Sequence, residues 1–154
     1  MTAPFAHIGI LVDDLDEAIE RYTRLGLTFR EPKTVRVERL VENGTETAFD
    51  LRITFSYEGP PRWELLEAVG DGVYGAQHGE GLHHVAEVVE DPIPRMQELE
   101  RAGFPMVAAQ YRPDGSMIVG YLQPGDLNGI RLEVIGTQVD EAIEGWLTGK
   151  DVAP

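Results

Sequence analysis

The chain repeats itself, and this restricts its fold more than any other feature. Shifted by 77 residues, HIGILVDDLDEAIERYTRLGLTF, which starts at His7, aligns without a gap on HVAEVVEDPIPRMQELERAGFPM, which starts at His84. Asp14 falls on Asp91, Arg24 on Arg101 and Gly26 on Gly103. Further along, RWELL (Arg62–Leu66) resembles RLEVI (Arg131–Ile135). A chain that spells one supersecondary unit twice folds most simply as two like units sharing a core.

Each copy reads as strand, cap, helix, glycine stop, strand. Phe5 to Val12 is apolar and rich in β-formers, a strand signal. Asp14 caps the helix that follows, with Glu17 three residues on as a capping-box partner. Leu15, Ala18, Ile19, Tyr22 and Leu25 recur at helical spacing, and Gly26 stops the run. In the second copy Asp91 is the cap and Pro92 sits in the first turn, where its missing N–H costs nothing. Ile93, Met96 and Leu99 form the stripe, and Gly103 ends it. Three strand-like segments then close each copy: 28–41, 46–57 and 62–68 in the first, 104–110, 116–123 and 129–135 in the second.

The expected class is therefore α+β: two tandem βαβββ modules forming a half-barrel-like metal-binding cleft in one domain over 1–154. Module one spans 5–69, module two 82–136, and a C-terminal helix 138–148. The glycine-rich stretch GDGVYGAQHGEG (70–81) is a linker; it lacks the strand–GxGxxG–helix context of a phosphate loop.

Composition narrows the partners. The 154 residues hold 13 Lys+Arg against 27 Asp+Glu, a formal net charge of −14. That field repels a phosphate backbone, so nucleic acid is not an expected partner. No apolar stretch approaches the ~20 residues that span a bilayer, and MTAPFAHIGI lacks the basic start of a secretory signal. The absence of cysteine rules out disulfides and thiolate sites and is compatible with a reducing cytoplasm.

Both modules carry a histidine on the first strand and a glutamate on the last. The repeat pairs His7 with His84 and Glu64 with Glu133. Under pseudo-twofold packing these positions converge near the axis, giving two imidazoles and two carboxylates with two octahedral positions left over. Such a donor set suits Co, Ni, Zn, Mn or Fe(II). Singly, each has a plain structural reading: a packed histidine, or a glutamate on the solvent face of an alternating strand. The shared symmetry favours the metal site. Strand alternation turns His83 away from His84, toward helix packing or the rim, and puts Glu67 on the face opposite Glu64. In TAFDLRITF, Phe49, Leu51, Ile53 and Phe55 alternate with Asp50, Arg52 and Thr54; the apolar set is expected against helices and the polar set along the concave face. Arg52 and Arg131 are then candidates to neutralise an anionic substrate, or to pair with nearby carboxylates, and Tyr121 is a candidate substrate contact.

The segments FAHIGILVDDLDEAIERYTRLGLTF, RWELLEAVG, GLHHVAEVVED and PGDLNGIRLEV resemble the vicinal oxygen chelate superfamily over nearly the whole chain, nearest its methylmalonyl-CoA epimerase-like branch. The resemblance implies metal ligands at His7, Glu64, His84 and Glu133. It also implies a substrate bound through two oxygens, an enolate stabilised by the metal, Glu133 as both ligand and base, and Asp50 near the position of a second catalytic acid. Gln123 and Gly125 replace a His and a Lys usual in epimerases, and Glu87 replaces an apolar residue. The implied protein is a metal-dependent isomerase, epimerase or lyase acting on a small molecule such as an acyl-CoA, with a homodimer by analogy. The alternatives are a glyoxalase I-type lyase, a non-haem iron dioxygenase or a resistance-type binding protein.

Overall fold

The computed structural model describes residues 5–150; the first four residues of the signal-peptide reading lie outside the described residues. Eight strands and three helices form a mixed α+β fold: β1 (His7–Val12), α1 (Leu15–Thr23), β2 (Lys33–Glu42), β3 (Thr45–Phe55), β4 (Arg62–Glu67), β5 (Gly81–Val89), α2 (Pro92–Arg101), β6 (Met106–Tyr111), β7 (Met117–Leu122), β8 (Leu132–Gly136) and α3 (Thr137–Thr148). The strands close into a barrel in the order β1-β4-β3-β2-β6-β7-β8-β5. Each half contributes four strands in the same internal order. β1 and β5 pair antiparallel at one seam; β2 and β6 pair at the other through Leu40 with Gln110, Val41 with Ala109 and Glu42 with Ala108. The expected half-barrel cleft is thus the inside of a closed barrel.

The caps form as the residue types dictate. Asp14 accepts from the Glu17 N–H at 2.9 Å, and Asp91 from the Ile93 N–H at 3.0 Å, ahead of Pro92. Gly26 and Gly103 stop their helices with φ of +98° and +95°, a conformation strained for any residue with a side chain. One strand starts later than expected: β2 begins at Lys33, and before it only Phe29 bridges to Ser56.

Helix α1 lies outside the barrel, burying Leu15 and Ala18 against Ile10, Val12 and Leu65. Helix α2 does the same for the second half through Met96 and Leu99 against Met117, Leu122 and Val134. Helix α3 closes one end of the barrel, where Val139, Ile143, Trp146 and Leu147 meet an interior cluster that includes Leu11, Leu51, Phe55, Tyr121 and Ile135. Arg62, at the start of β4, holds α3 there through a two-pronged ion pair with Glu144, one prong at 2.7 Å. The 70–81 stretch does more than link the modules: Val73 and Tyr74 are buried in the interior cluster, and a single 3₁₀ turn follows at Ala76–His78. None of the described helices is long and apolar enough to cross a membrane.

Candidate metal centre

Two registers across the barrel wall build the site. In one, Phe55 on β3 lies opposite Glu64 on β4, Glu64 beside Gly9 on β1, and Gly9 opposite His84 on β5. In the other, His7 on β1 lies opposite Ala86 on β5, Ala86 beside Glu133 on β8, and Glu133 opposite Tyr121 on β7. Each histidine therefore faces a small residue on the neighbouring strand and has room to swing its ring inward. The clearance is tightest at Gly9, where an added Cβ would fall 2.0 Å from Cε1 of His84.

The four side chains meet inside the barrel. His7 Nε2 lies 3.1 Å from His84 Nε2 and 2.8 Å from Glu133 Oε2. His84 Nε2 lies 3.0 Å from Glu64 Oε2. The crossed distances, His7 to Glu64 and His84 to Glu133, are both 3.5 Å. Ligands at ~2.0–2.2 Å from one metal ion stand roughly 3 Å from their neighbours, so these spacings are those of a coordination shell. All four residues are buried. Apart from the facing imidazole nitrogens, neither Glu64 Oε2 nor Glu133 Oε2 has a hydrogen-bond partner. Two acceptor oxygens left so in a protein interior are costly unless a cation completes them. His7, Glu64 and His84 bring three ligand atoms within 4.8 Å of one another; Glu133 lies outside that group and approaches from the side of His7. The donor set and the two orphaned oxygens fit a divalent metal.

The electrostatics agree. Burial opposes a charge on His7, but the Glu133 and Glu64 carboxylates outweigh it and raise its pKa. Burial likewise opposes ionisation of Glu133, yet His84, His7 and the Tyr121 hydroxyl hold it below the usual carboxylate range.

Residues 6–121 match the sequence model of the glyoxalase/bleomycin resistance protein/dioxygenase superfamily. The chain belongs to that superfamily. Among solved structures it is similar to a hypothetical protein from Bacillus halodurans, at 23% identity over 88% of this chain and 95% of that one, with a TM-score of 0.65. It is also similar to a variant methylmalonyl-CoA epimerase from Streptomyces coelicolor in complex with 2-nitronate-propionyl-CoA, at 23% identity over 87% and 96% with a TM-score of 0.63. Methylmalonyl-CoA epimerase from Mycobacterium tuberculosis gives 22%, 88%, 92% and 0.62. No curated protein matches closely in sequence.

Within this superfamily fold, the other candidates from the sequence fall in several places. Tyr121 lines the interior and donates to Glu133 Oε1 at 2.7 Å. Its own oxygen lies 2.6 Å from the Tyr74 hydroxyl, which accepts from Gln110 at 2.6 Å. With the Tyr121 proton directed at Glu133, Tyr74 must be the donor of that pair, so a chain of donors runs from Gln110 to the glutamate. Burial first, then the charge of Glu133, pushes both tyrosine pKa values up, which keeps the donors protonated.

Asp50 is a correction, and Arg52 takes the second of its two expected parts, pairing with carboxylates and not facing the interior. Both lie on the outside of the barrel: Asp50 pairs with Arg36 at 3.1 Å in the open, and Arg52 with Asp16 at 2.8 Å and Glu67 at 3.3 Å. The expectation assumed that helices cover the apolar face of β3. Helix α1 packs instead on β4 and β1, and the outer face of β3 meets water at Glu46, Ala48 and Asp50, is half-buried at Arg52 and is buried only at Thr54. Leu51, Ile53 and Phe55 therefore line the interior. Arg131 does point inward, on the same face as Glu133. It forms no ion pair among the described residues, its Nε has no partner, and burial lowers its pKa. Glu67 lies on the opposite face from Glu64 as expected, where it accepts from the Leu15 N–H at 2.9 Å.

His83 is the second correction. Gly9 pairs with His84 and Ile10 with Leu82, so His83 is the extra residue of a β-bulge. The bulge breaks the alternation and lets both rings face inward; His83 is 6% exposed and its Nδ1 lies 2.9 Å from His84 Nδ1. Burial first, then repulsion from His84, depresses the His83 pKa to about 3. The sequence reading also passed over Gly9, although Gly9 and Ala86 stand 77 residues apart and their shared smallness was a usable signal.

The cleft above the four side chains has a volume of about 280 Å³ and is walled by Val35, Leu51, Ile53, Phe55 and Ile143, with Lys33 and Arg112 among its lining residues. A larger cavity of about 500 Å³ opens elsewhere, between the β2–β3 turn and the 70–81 stretch, but no histidine lines it.

Proposed function

We propose that the protein is a metal-dependent isomerase, epimerase or lyase that moves a proton at a carbon next to a carbonyl. The observation that carries this reading is the buried quartet of His7, Glu64, His84 and Glu133, with two carboxylate oxygens that have no hydrogen-bond partner beyond the imidazole nitrogens of the quartet itself. His7 Nε2, His84 Nε2, Glu64 Oε2 and Glu133 Oε2 would hold a divalent Zn, Co, Ni, Mn or Fe ion. When bound, the ion supplies Lewis-acid stabilisation of negative charge that develops on a substrate oxygen.

The remaining chemistry belongs to the chain. Glu133 is held ionised by the two imidazoles and oriented by Tyr121, so its Oε2, where it is released from the ion, is the group to accept the proton. Glu64 reaches the same space from the other module and is the second carboxylate able to carry a proton there. It takes the part expected of Asp50, which faces solvent. The apolar walls exclude water, which strengthens each of these interactions.

A cavity of about 280 Å³ suits a short acyl group rather than a whole cofactor conjugate. A longer anionic portion would leave past Lys33 and Arg112, local positive charge in a chain of net charge −14. Epimerases of this fold have been solved with methylmalonyl-CoA and a propionyl-CoA analogue, and an acyl-CoA is the substrate class we favour.

The test begins with metal analysis of protein purified without chelators. Acyl-CoA and α-keto-thiohemiacetal substrates are then screened in deuterated solvent. Deuterium entering the carbon beside the carbonyl, abolished by chelation and by Glu133→Gln, is the expected result. No exchange with any of the five metals would sink the reading. Stoichiometric Fe(II) with O₂ consumption would replace it with an oxygenase.

A further inference from the structure

His83 is outside the quartet, yet both of its ring nitrogens are engaged. Nε2 lies 2.7 Å from the carbonyl oxygen of Val73, and Nδ1 lies 2.9 Å from Nδ1 of His84. A carbonyl only accepts, so His83 Nε2 carries a proton and donates it. The neutral ring then has a lone pair on Nδ1, and the facing His84 Nδ1 must be the N–H donor. That leaves His84 Nε2 as the nitrogen turned to Glu64, Glu133 and His7.

We propose that His83 is a positioning residue: by accepting from His84 Nδ1–H while anchored on Val73, it fixes the tautomer and ring direction that present His84 Nε2 to a divalent metal. This rests on the metal-centre reading above. Metal-bound histidines commonly donate their other N–H to a carboxylate or carbonyl; here a neutral imidazole takes that place. The choice suits a site that already holds two carboxylates, since the supporting group adds no charge. The surroundings prevent His83 from turning away. Tyr74 stacks on its ring at 5.5 Å with planes 21° apart, and Tyr121 meets its edge at 6.0 Å. Val73 and Tyr74 both come from the stretch between the modules, so that segment is the outer wall of the support.

The opposite arrangement would have His83 donate from both nitrogens. It would then be a cation in a buried site that also holds the Arg131 guanidinium, and it would send a proton to His84 Nδ1, where none is needed.

The experiment has two arms. In the first, Zn²⁺ affinity is measured by chelator competition for the wild type, His83→Leu and His83→Asn. The leucine variant should bind roughly 10–100-fold more weakly, the usual cost of losing a partner behind a metal-bound histidine. Asparagine restores an acceptor at the position of Nδ1 and should return affinity to within about 5-fold of wild type. In the second arm, long-range ¹H–¹⁵N spectra assign the tautomers of the wild type with and without zinc. His83 should be protonated on Nε2 in both forms, and His84 on Nδ1 in the zinc form. Equal affinity of the leucine variant and wild type, no recovery with asparagine, or a proton on His83 Nδ1 each overturns the proposal while leaving the metal centre standing. A wild type that binds no divalent ion overturns the metal centre itself. Should the leucine variant fail to fold, the spectra of the wild type decide.

Discussion

The two modules bring the same pair of side chains to the centre but support them by different means. Glu64 in the first module lies opposite Phe55; Glu133 in the second lies opposite Tyr121. The aromatic position is shared, but only the second carries a hydroxyl, and only Glu133 is tethered, at 2.7 Å. The histidines differ likewise. His84 has His83 behind it, while the repeat puts Ala6 behind His7, whose ring packs edge-on against Phe55 at 5.3 Å. The second module is a hydrogen-bonded mount and the first an apolar one. The repeat carries the symmetry of the quartet, and the supports around it differ. Both carboxylates face the imidazoles, but only Glu133 has a buried hydroxyl fixing its second oxygen, so reorienting Glu64 breaks one polar contact fewer.

The sharpest way to break this comparison is at the strand seam. Gly9→Ala puts a Cβ 2.0 Å from the His84 ring, too close for either to remain in place. Overpacking of this kind costs ~1–3 kcal/mol of stability. The larger effect falls on the site: His84 is pushed out of register, and zinc affinity should drop to the far end of the ~10–100-fold range, or beyond it. Chelator competition measures the affinity and thermal denaturation the stability. Retained affinity would mean that His84 is not held where its ring now lies.

Tyr121→Phe makes the second module resemble the first. It removes the donor to Glu133 and leaves the Tyr74 hydroxyl without its acceptor, at a cost of about 1–3 kcal/mol for the buried groups left unpaired. Proton-transfer activity should fall about 10–100-fold, with folding intact by circular dichroism. If activity is unchanged, the difference between the two glutamates has no functional weight, and an apolar mount is enough for both.

What the sequence made legible follows the repeat. The 77-residue shift places His7 with His84, the separate match of RWELL with RLEVI places Glu64 with Glu133, and the barrel brings those four together, because symmetry relates positions wherever the strands close. The caps at Asp14 and Asp91 were legible because they depend on a few neighbouring residues. The direction of His83 was not. It depends on a bulge, which arises where the His84 ring needs the space above Gly9 on another strand. Nor did the sequence disclose Tyr74, which lies in a stretch that reads as pure turn but packs into the interior cluster. The face of β3 was misread for a similar reason. Alternation gives two faces, but which one is inside depends on where the helices pack, and α1 covers β4 rather than β3.

That misreading yields the smallest predicted effect, and one that tests the comparison by its absence. Asp50 is on the outside of the first module, 63% exposed in its side chain and, among the described residues, paired with Arg36, itself 51% exposed. An exposed pair of this kind contributes about 0–1 kcal/mol, and less in salt. Asp50→Asn should therefore leave deuterium exchange within about 2-fold of wild type and stability within roughly 0.5 kcal/mol, since it touches neither the interior nor a cap. Glu64→Gln, on the same module but inside, should cost activity heavily under the same assay. The contrast assigns the first module's proton-carrying group to β4 rather than β3. If Asp50→Asn instead abolished exchange while Glu64→Gln did not, the strand carrying that group would have been chosen wrongly. The apolar mount of Glu64 would then support metal binding alone.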